Sequence, residues 1–323
     1  MTEKKKDIPF SGPIRIPLDK ESKAIQKAPA YDKARARTYN STMPEIRKLI
    51  DTIQDKDGLT LFGTKAPSLE TFLRVEQEIR SLSARDHKVS LILVDLKTQS
   101  GTAYHSSIPM CSQSTVKAIY AGALLESHPE ALIENGAYLR DAIVYSSNQA
   151  YENLRKIYGK EPILQWCHET NVDPSFANLP YPRNHCARDM LKLWTRLYIF
   201  FNGNKDLSNF GAYYADSLAS ATKERLGMQF PVQTKAGWES GLNEDMDYDP
   251  NMIIPERFRD GNPNNDECAI NDTGIVYTET GPYLFVIYTD HPYGIFRNYT
   301  TSNPLYSLVD ALAALQSDLA KGN

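Results

Sequence analysis

Segments typical of β-strands lie near both ends of this 323-residue chain, and segments typical of helices lie between them. Residues 88–95 (KVSLILVD) form an apolar, β-branched run, and residues 101–107 are a suitable hairpin partner for it. The other strand-like segments come only near the C-terminus, at 232–238, 274–279 and 283–289. This order predicts an α+β fold with one antiparallel sheet of about five strands, built from both ends of the chain.

Amphipathic helices are predicted on both flanks of this sheet. Apolar residues recur at helical spacing from Leu69 to Leu82, and Ser68 is a candidate N-cap. A second apolar stripe, from Leu305 to Leu319, follows another candidate cap at Ser302. Further helical patterns cover 139–157 and 186–201 in the middle of the chain, and a hairpin turn is predicted around Gly281-Pro282.

The chain is predicted to divide into two unequal parts. Residues 1–67 lack sustained periodicity and are interpreted as an N-terminal extension and linker that wraps or trails. Within them, 44–55 could form a short helix, whereas 57–67 contains two glycines and a proline and is typical of a linker. Residues 68–323 are predicted to form one domain, which is long enough to bury a sizeable core.

Composition excludes some classes of partner. The net charge of −4 and the lack of a long basic stripe give no reason to expect nucleic-acid binding. No apolar run approaches the roughly 18 residues of a membrane span. The first seven residues lack the apolar region of a secretory signal, so the chain is either cytoplasmic or a mature exported domain. The sequence does not indicate an oligomeric state.

The four cysteines lack the C-x-x-C spacing typical of zinc sites, and no metal or other cofactor is predicted. A disulfide between Cys167 and Cys186 is one interpretation, suited to an exported protein, and buried free thiols are the other. A disulfide between Cys111 and Cys268 would hold the acidic insertion at 243–268 over the site around Ser114, which lies three residues after Cys111.

That acidic insertion has a partial calcium-loop pattern. Four of its acidic residues fall at positions 1, 3, 5 and 12 of such a loop: Asp245, Asp247, Asp249 and Glu256. Pro250 stands where the loop needs a flexible glycine, and no helical pattern flanks it. We therefore predict a solvated acidic flap rather than a calcium site.

Three short strings carry the candidate chemistry. They are Ser114-Thr115-Val116-Lys117 at the start of a helical pattern, Ser146-Ser147-Asn148 after an apolar run, and Lys235-Ala236-Gly237 on a predicted strand. Each string alone is weak evidence, because a lysine is commonly a solvated helix residue and a serine is commonly a cap. The order and the structural context of all three together favour a function.

Ser114 and Lys117 are three residues apart, which places both side chains on one face of a helix. A serine hydroxyl becomes an effective nucleophile when a nearby base takes its proton. Lys117 can be that base if burial or a second cation lowers its pKa, and Lys235 is a candidate for the second cation. The partial positive charge of the helix N-terminus also favours an oxyanion at Ser114.

This set of strings resembles the S-x-x-K, S-x-N and K-T-G motifs of the serine β-lactamase and penicillin-binding (DD-peptidase) superfamily. The flanks agree, since residues 145–154 resemble the stretch around the second motif and 184–190 resemble the helix start after the omega loop. Over about residues 68–320, the resemblance implies a sheet flanked by N- and C-terminal helices with an all-helical lobe. Because the usual substrates of these enzymes lie outside the cytoplasm, it also implies an extracytoplasmic location.

The resemblance also implies a role for each matched residue. Ser114 would be the acylated nucleophile, Lys117 its base, and Ser146 the relay that protonates the leaving group. Asn148 would hold the substrate amide, and Lys235 would tune Ser146 and attract a substrate carboxylate. The remaining substrate-binding positions are on the third strand: Ala236, Gly237 and Trp238, whose N–H would complete an oxyanion hole with that of Ser114.

The chain departs from the family pattern in three places. Ala236 replaces a threonine whose hydroxyl helps to hold a carboxylate, a loss of about 1.5–3 kcal/mol for one hydrogen bond to a charged group. Residues 171–184 contain no counterpart of the glutamate that drives deacylation in class A enzymes, and their one acid, Asp173, is interpreted as a cap. Ser146 also follows Ser114 at about half the usual class A separation, which predicts a more open cleft.

Two functions of different classes therefore remain. The first is a serine hydrolase that forms an acyl-enzyme at Ser114 on β-lactam or peptidoglycan-type amides, with a small molecule or peptide as substrate. The second is a catalytically silent relative that binds a cell-wall or peptide ligand in the same cleft. A Ser-His-Asp hydrolase is disfavoured because the chain has no G-x-S-x-G string.

Overall fold

The computed structural model describes residues 32–55, 57–183, 185–203, 210–240, 268–291 and 303–321. One sheet organises these residues, in the strand order β1-β3-β2-β6-β5-β4 with every neighbouring pair antiparallel. The strands are β1 (Thr60–Phe62), β2 (Val89–Asp95), β3 (Ser100–Tyr104), β4 (Val232–Ser240), β5 (Cys268–Thr278) and β6 (Gly281–Thr289). The predicted α+β class is confirmed, with β2 and β6 joining the N-terminal and C-terminal strands at the centre of the sheet.

Twelve α-helices are present in the described part of the chain. They are α1 (Lys33–Arg37), α2 (Met43–Thr52), α3 (Leu69–Leu82), α4 (Val116–Ser127), α5 (Ala131–Glu134), α6 (Gly136–Ile143), α7 (Asn148–Tyr158), α8 (Glu161–Thr170), α9 (Ala187–Gly203), α10 (Gly211–Ala215), α11 (Ala221–Leu226) and α12 (Tyr306–Lys321). None of the helices in these ranges is long and apolar enough to cross a bilayer.

The sheet is buried on both faces. Along β2, Ile92 and Val94 point into the core shared with the helical lobe, while Leu91 and Leu93 point into the core beneath α3 and α12. This alternation follows from the two-residue period of a strand, and burial on both faces explains why β2 reads as a continuous apolar run. Helix α3 begins as predicted, because the Ser68 hydroxyl accepts a hydrogen bond from the Thr71 N–H at 3.3 Å.

Three local predictions were wrong. The segment 57–67, expected to be a linker, contains the edge strand β1, which at three residues is too short to show a period. The helical pattern over 139–157 is interrupted by a turn between α6 and α7. The C-terminal hairpin turns at Glu279 and Thr280, so Gly281 and Pro282 lie inside β6, where Tyr277 pairs with Pro282.

The N-terminal segment packs against the main core. Met43, Ile46 and Ile50 are fully buried on one face of α2, which lies against α9. The short helix predicted in this region is therefore present, and it packs against α9. The domain boundary at residue 67 stays a prediction.

Of the two interpretations of Cys167 and Cys186, the disulfide is wrong, since both residues are free thiols in the structure. Cys111 is also free, and the side chain of Cys268, the candidate partner, lies outside the described residues. The acidic insertion with its calcium-like spacing and the candidate cap Ser302 lie outside them too. Within the described ranges, no group of three or more His, Cys, Asp or Glu side chains is placed to hold a metal ion.

Candidate active site

Ser114 lies just before a helix whose residues are buried from Val116 to Leu125. It occupies a 3₁₀ turn, Gln113–Thr115, that leads directly into α4. Helix α4 is apolar around nearly its whole circumference and forms the centre of the helical lobe. Ser114 itself is partly exposed, whereas Lys117, one turn further on, is fully buried. The fold thus presents the candidate nucleophile to solvent with its candidate base beneath it.

Lys117 connects the first two motifs. Its Nζ lies 2.8 Å from Ser114 Oγ, 2.6 Å from the Ser146 carbonyl oxygen and 2.7 Å from Asn148 Oδ1. The Ser146 carbonyl and the Asn148 amide oxygen can only accept hydrogen bonds, so they take two Nζ protons. When Lys117 is neutral, its lone pair is therefore left for the hydroxyl proton of Ser114.

The turn between α6 and α7 brings Ser146 into the site. Ser146 adopts a left-handed backbone with φ of 58°, which is uncommon for a residue with a side chain. The next residue, Ser147, caps α7 by accepting a hydrogen bond from the Ala150 N–H at 3.1 Å. Asn148 is then the first residue of α7, and it is exposed to solvent.

Strand β4 closes the opposite side of the site. Lys235 is fully buried, and its Nζ donates to Ser146 Oγ at 2.9 Å and to the Ala236 carbonyl at 2.8 Å. The Lys117 Nζ lies 3.4 Å from the same Ser146 Oγ, so two amines converge on one hydroxyl. The Trp238 ring lies 5.5 Å from Lys235 Nζ.

Gly237 lets the strand approach the backbone of Ser114 closely. A Cβ built on this residue would lie 2.9 Å from the Ser114 backbone nitrogen and 3.0 Å from that of Thr115. Side chains cannot occupy such a space, so the third motif needs glycine here for steric reasons. The structure thus brings together all the residues singled out from the three motifs.

The family model described as the beta-lactamase enzyme family matches residues 121–314, which is more than half of the chain. This chain belongs to the beta-lactamase enzyme family. The match includes the second and third motifs and begins just after Lys117. A comparison with curated protein sequences gave no match.

Several solved β-lactamase structures share the fold. The β-lactamase from Desulfarculus baarsii is 15% identical with a TM-score of 0.51, covering 76% of this chain and 96% of its own. The enzyme from Burkholderia ambifaria is 12% identical with a TM-score of 0.50, covering 75% and 98%. The extended-spectrum β-lactamase TLA-1 is 13% identical with a TM-score of 0.52, covering 78% and 99%. Identities this low establish the shared fold alone.

Both buried lysines in the candidate site have lowered pKa values, as a lysine needs if it is to act as a base near neutral pH. Burial lowers the pKa of Lys117 to about 7, and the nearby Glu152 carboxylate opposes that shift in part. Burial, reinforced by the charge of Lys117, lowers the pKa of Lys235 well below its ordinary value, while Asp272 opposes this shift. Two buried amines near one hydroxyl favour loss of a proton from one of them.

The loop at 171–186 supplies a phenol rather than a carboxylate to the cleft. Asp173 is exposed and caps a 3₁₀ turn, accepting a hydrogen bond from the Ser175 N–H at 2.8 Å, as its interpretation as a cap predicts. Tyr181 instead reaches the site, and its hydroxyl donates to Asn148 Oδ1 at 2.9 Å. Sequence reasoning missed Tyr181, because a single tyrosine in a loop with no motif around it gives no signal.

A second residue outside the motifs holds the segment before the nucleophile. Asn271 of β5 donates from Nδ2 to the Cys111 carbonyl at 2.8 Å, and its Oδ1 accepts from the Thr289 N–H at 3.0 Å. The segment that leads to the 3₁₀ turn of Ser114 is therefore tied to the central strands of the sheet. Nothing in the sequence pattern of β5 marked this asparagine for such a role.

Proposed function

We propose that this protein is a serine hydrolase that forms an acyl-enzyme at Ser114 on β-lactam or peptidoglycan-type amide substrates. Its family and fold support a serine hydrolase of the β-lactamase type. The observation that carries the proposal for Ser114 is the 2.8 Å contact between its Oγ and the buried Nζ of Lys117. These substrates would place the protein outside the cytoplasm.

In the proposed acylation, Lys117 takes the hydroxyl proton while Ser114 Oγ bonds to the substrate carbonyl carbon. The oxyanion accepts hydrogen bonds from the backbone N–H groups of Ser114 and Trp238. Ser146 then gives its proton to the leaving nitrogen as the carbon–nitrogen bond breaks, and it regains a proton from Lys117. The 3.4 Å separation of Lys117 Nζ from Ser146 Oγ supports this last transfer.

Asn148 and Lys235 would orient the substrate in this scheme. The Asn148 Nδ2 has no protein partner among the described residues and is available to donate to a substrate carbonyl. Lys235 would hold the Ser146 hydroxyl and attract a substrate carboxylate. Ala236 contributes no side-chain donor on this strand, so binding of that carboxylate depends on the remaining groups.

Hydrolysis of the acyl-enzyme is expected to be slow. The class A route uses a carboxylate on the omega loop, and residues 171–184 contain no glutamate. Asp173 is engaged in capping its own turn. We therefore propose that β-lactams leave a long-lived adduct, as they do on penicillin-binding proteins, rather than being turned over efficiently.

The test is the intact mass of the protein after exposure to a penicillin, a cephalosporin and a serine-reactive phosphonate. We expect an adduct that persists for minutes or longer and is lost in Ser114→Ala. Ser127→Ala is the matched control, because Ser127 is exposed at the opposite end of the same helix. A transient adduct with released hydrolysed drug would contradict the slow deacylation. No adduct with any reagent would favour the silent ligand-binding protein instead.

A further inference from the structure

The position of Tyr181 is fixed by its neighbours in the chain. The Pro180 carbonyl accepts a hydrogen bond from the buried Tyr151 hydroxyl at 2.9 Å. The Pro182 carbonyl accepts two hydrogen bonds from Ser112, one from its N–H and one from its hydroxyl, both at 3.1 Å. The backbone is therefore held on both sides of Tyr181, and the phenol is aimed at the cleft by the fold itself.

The Tyr181 hydroxyl and the Lys117 amine share one acceptor. Asn148 Oδ1 lies 2.9 Å from the Tyr181 hydroxyl and 2.7 Å from Lys117 Nζ. Rotation of the Asn148 amide by half a turn would replace this oxygen with an N–H₂ group, which cannot accept either bond. The two donors together thus fix the amide with its oxygen inward and its Nδ2 toward the cleft, although the residue is exposed.

This fixed amide in turn orients the base. Asn148 Oδ1 and the Ser146 carbonyl hold two of the Lys117 protons, which leaves the third direction of the amine for Ser114 Oγ. The Tyr181 ring also lies over the amine, with its centroid 5.6 Å from Lys117 Nζ. A rotating amide at position 148 would compete for the lone pair that Ser114 needs.

We propose that Tyr181 is a positioning residue, which fixes the Asn148 amide and through it directs the lone pair of Lys117 at Ser114. The inference rests on the proposed acyl-enzyme function. It assigns to the loop at 171–186 a part in acylation, in place of the deacylating carboxylate that this loop lacks. In this role the Tyr181 hydroxyl orients the Asn148 amide, whereas in a purely structural role the ring alone would stabilise the loop by packing.

Tyr181→Phe tests the role because it removes the hydroxyl and keeps the ring. The rate of Ser114 adduct formation at saturating penicillin should fall about tenfold, the order expected for one lost hydrogen bond. Tyr158→Phe is the matched control. Tyr158 is the last residue of α7, at the end away from Asn148, and its hydroxyl accepts a hydrogen bond from Asn135. Equal rates for Tyr181→Phe and the wild type would overturn the proposal.

A double-mutant cycle separates positioning from general destabilisation. In an Asn148→Ala background the Tyr181 hydroxyl has lost the amide that it positions, so adding Tyr181→Phe should change the acylation rate less than about twofold. A tenfold loss in that background as well would show that the hydroxyl acts by another route, and would overturn the proposal.

A third readout does not depend on turnover. Titration of Lys117, followed by carbon-13 NMR of its Cε in the free protein, should move to lower pH in Tyr181→Phe. With the phenol gone, the Asn148 amide can rotate and turn its Nδ2 toward Lys117, and the loss of the Oδ1 acceptor disfavours the ammonium form. The other charged groups near this amine, Lys235 on β4 and Glu152 on α7, are unchanged in the variant. An unchanged titration would contradict the proposal. A shifted titration in a protein that forms no adduct would refute the proposed function and retain the role of Tyr181.

Discussion

Lys117 and Lys235 are both removed from water, which is costly for a cation and explains how a lysine can act as a base near neutral pH. A lysine in water has a pKa near 10.4 and is almost fully protonated at pH 7. Burial of Lys117 brings its pKa to about 7, so a large fraction of the amine is neutral there. The same burial would destabilise the fold if the amines lacked partners, and Ser146 and Asn148 supply them.

The pH dependence of acylation follows from this pKa. Below about pH 7 Lys117 is protonated and cannot accept the Ser114 proton, so the acylation rate should fall about tenfold per pH unit and reach a plateau above pH 7. The rate of adduct formation with a penicillin, corrected for spontaneous decay of the reagent, measures this profile. Lys117→Arg should form no adduct at any pH, because its guanidinium is not deprotonated in proteins. A flat wild-type profile between about pH 5 and 9 would refute Lys117 as the base.

At the scale of elements, the contact between β4 and the nucleophile turn sets the geometry of the site. Gly237→Ala would place a methyl group 2.9 Å from the Ser114 nitrogen, and the two nearest atoms are backbone nitrogens that cannot rotate away. We expect about 1–3 kcal/mol of destabilisation, with acylation at Ser114 falling at least tenfold because the turn must shift.

Gly136→Ala is the control for that substitution. Gly136 begins α6, and a Cβ there would meet no atom within 4 Å, so alanine should leave acylation unchanged. Thermal unfolding and adduct formation are measured on both variants. Wild-type acylation in Gly237→Ala would show that the close approach of β4 is not needed by the nucleophile.

The elements also show how far the sequence could be interpreted. Helical periodicity identified α3 and α12 because each is long and has one dominant pattern, and a continuous apolar run identified β2. It could not place the break before Ser146, since the apolar pattern continues across a turn whose left-handed residue carries no glycine signal. The strand β1 was missed because its pairing with β3, rather than its own three residues, makes it a strand.

The site was predictable to the extent that it follows the three motifs. The spacing of Ser114 and Lys117 already implied a contact within one helix turn, whereas the meeting of Lys235 with Ser146 depended on the resemblance. Tyr181 could not be predicted, because its place in the cleft is set by hydrogen bonds to the carbonyls of its two proline neighbours. Such bonds leave no pattern in the sequence.

At the scale of the whole molecule, the N-terminal segment is connected to the core and to the loop that precedes the nucleophile. Asp55, just after α2, accepts hydrogen bonds from Ser106 and Ser107 and pairs with Arg188 of α9 at 3.1 Å. Burial alone would raise the pKa of Asp55, but the bonds from the two serines outweigh it and lower the pKa to about 2. The carboxylate is therefore ionised and engaged at neutral pH.

Removal of this segment should unfold the protein rather than release an independent domain. A chain that begins at residue 68 lacks the buried apolar side chains of α2, the strand β1 and the Asp55 contacts. Burial of one large apolar side chain contributes about 1.5–3 kcal/mol, and α2 buries Met43, Ile46 and Ile50 completely. Their combined loss approaches the 5–15 kcal/mol that stabilise a typical domain.

The reference for this experiment is a chain that begins at residue 32, which retains every described residue. Thermal unfolding and size-exclusion chromatography should show a cooperative, monodisperse protein for the longer chain, and an unfolded or aggregated one for the shorter. Equal melting temperatures for the two would establish residues 68–323 as a domain that folds without its extension.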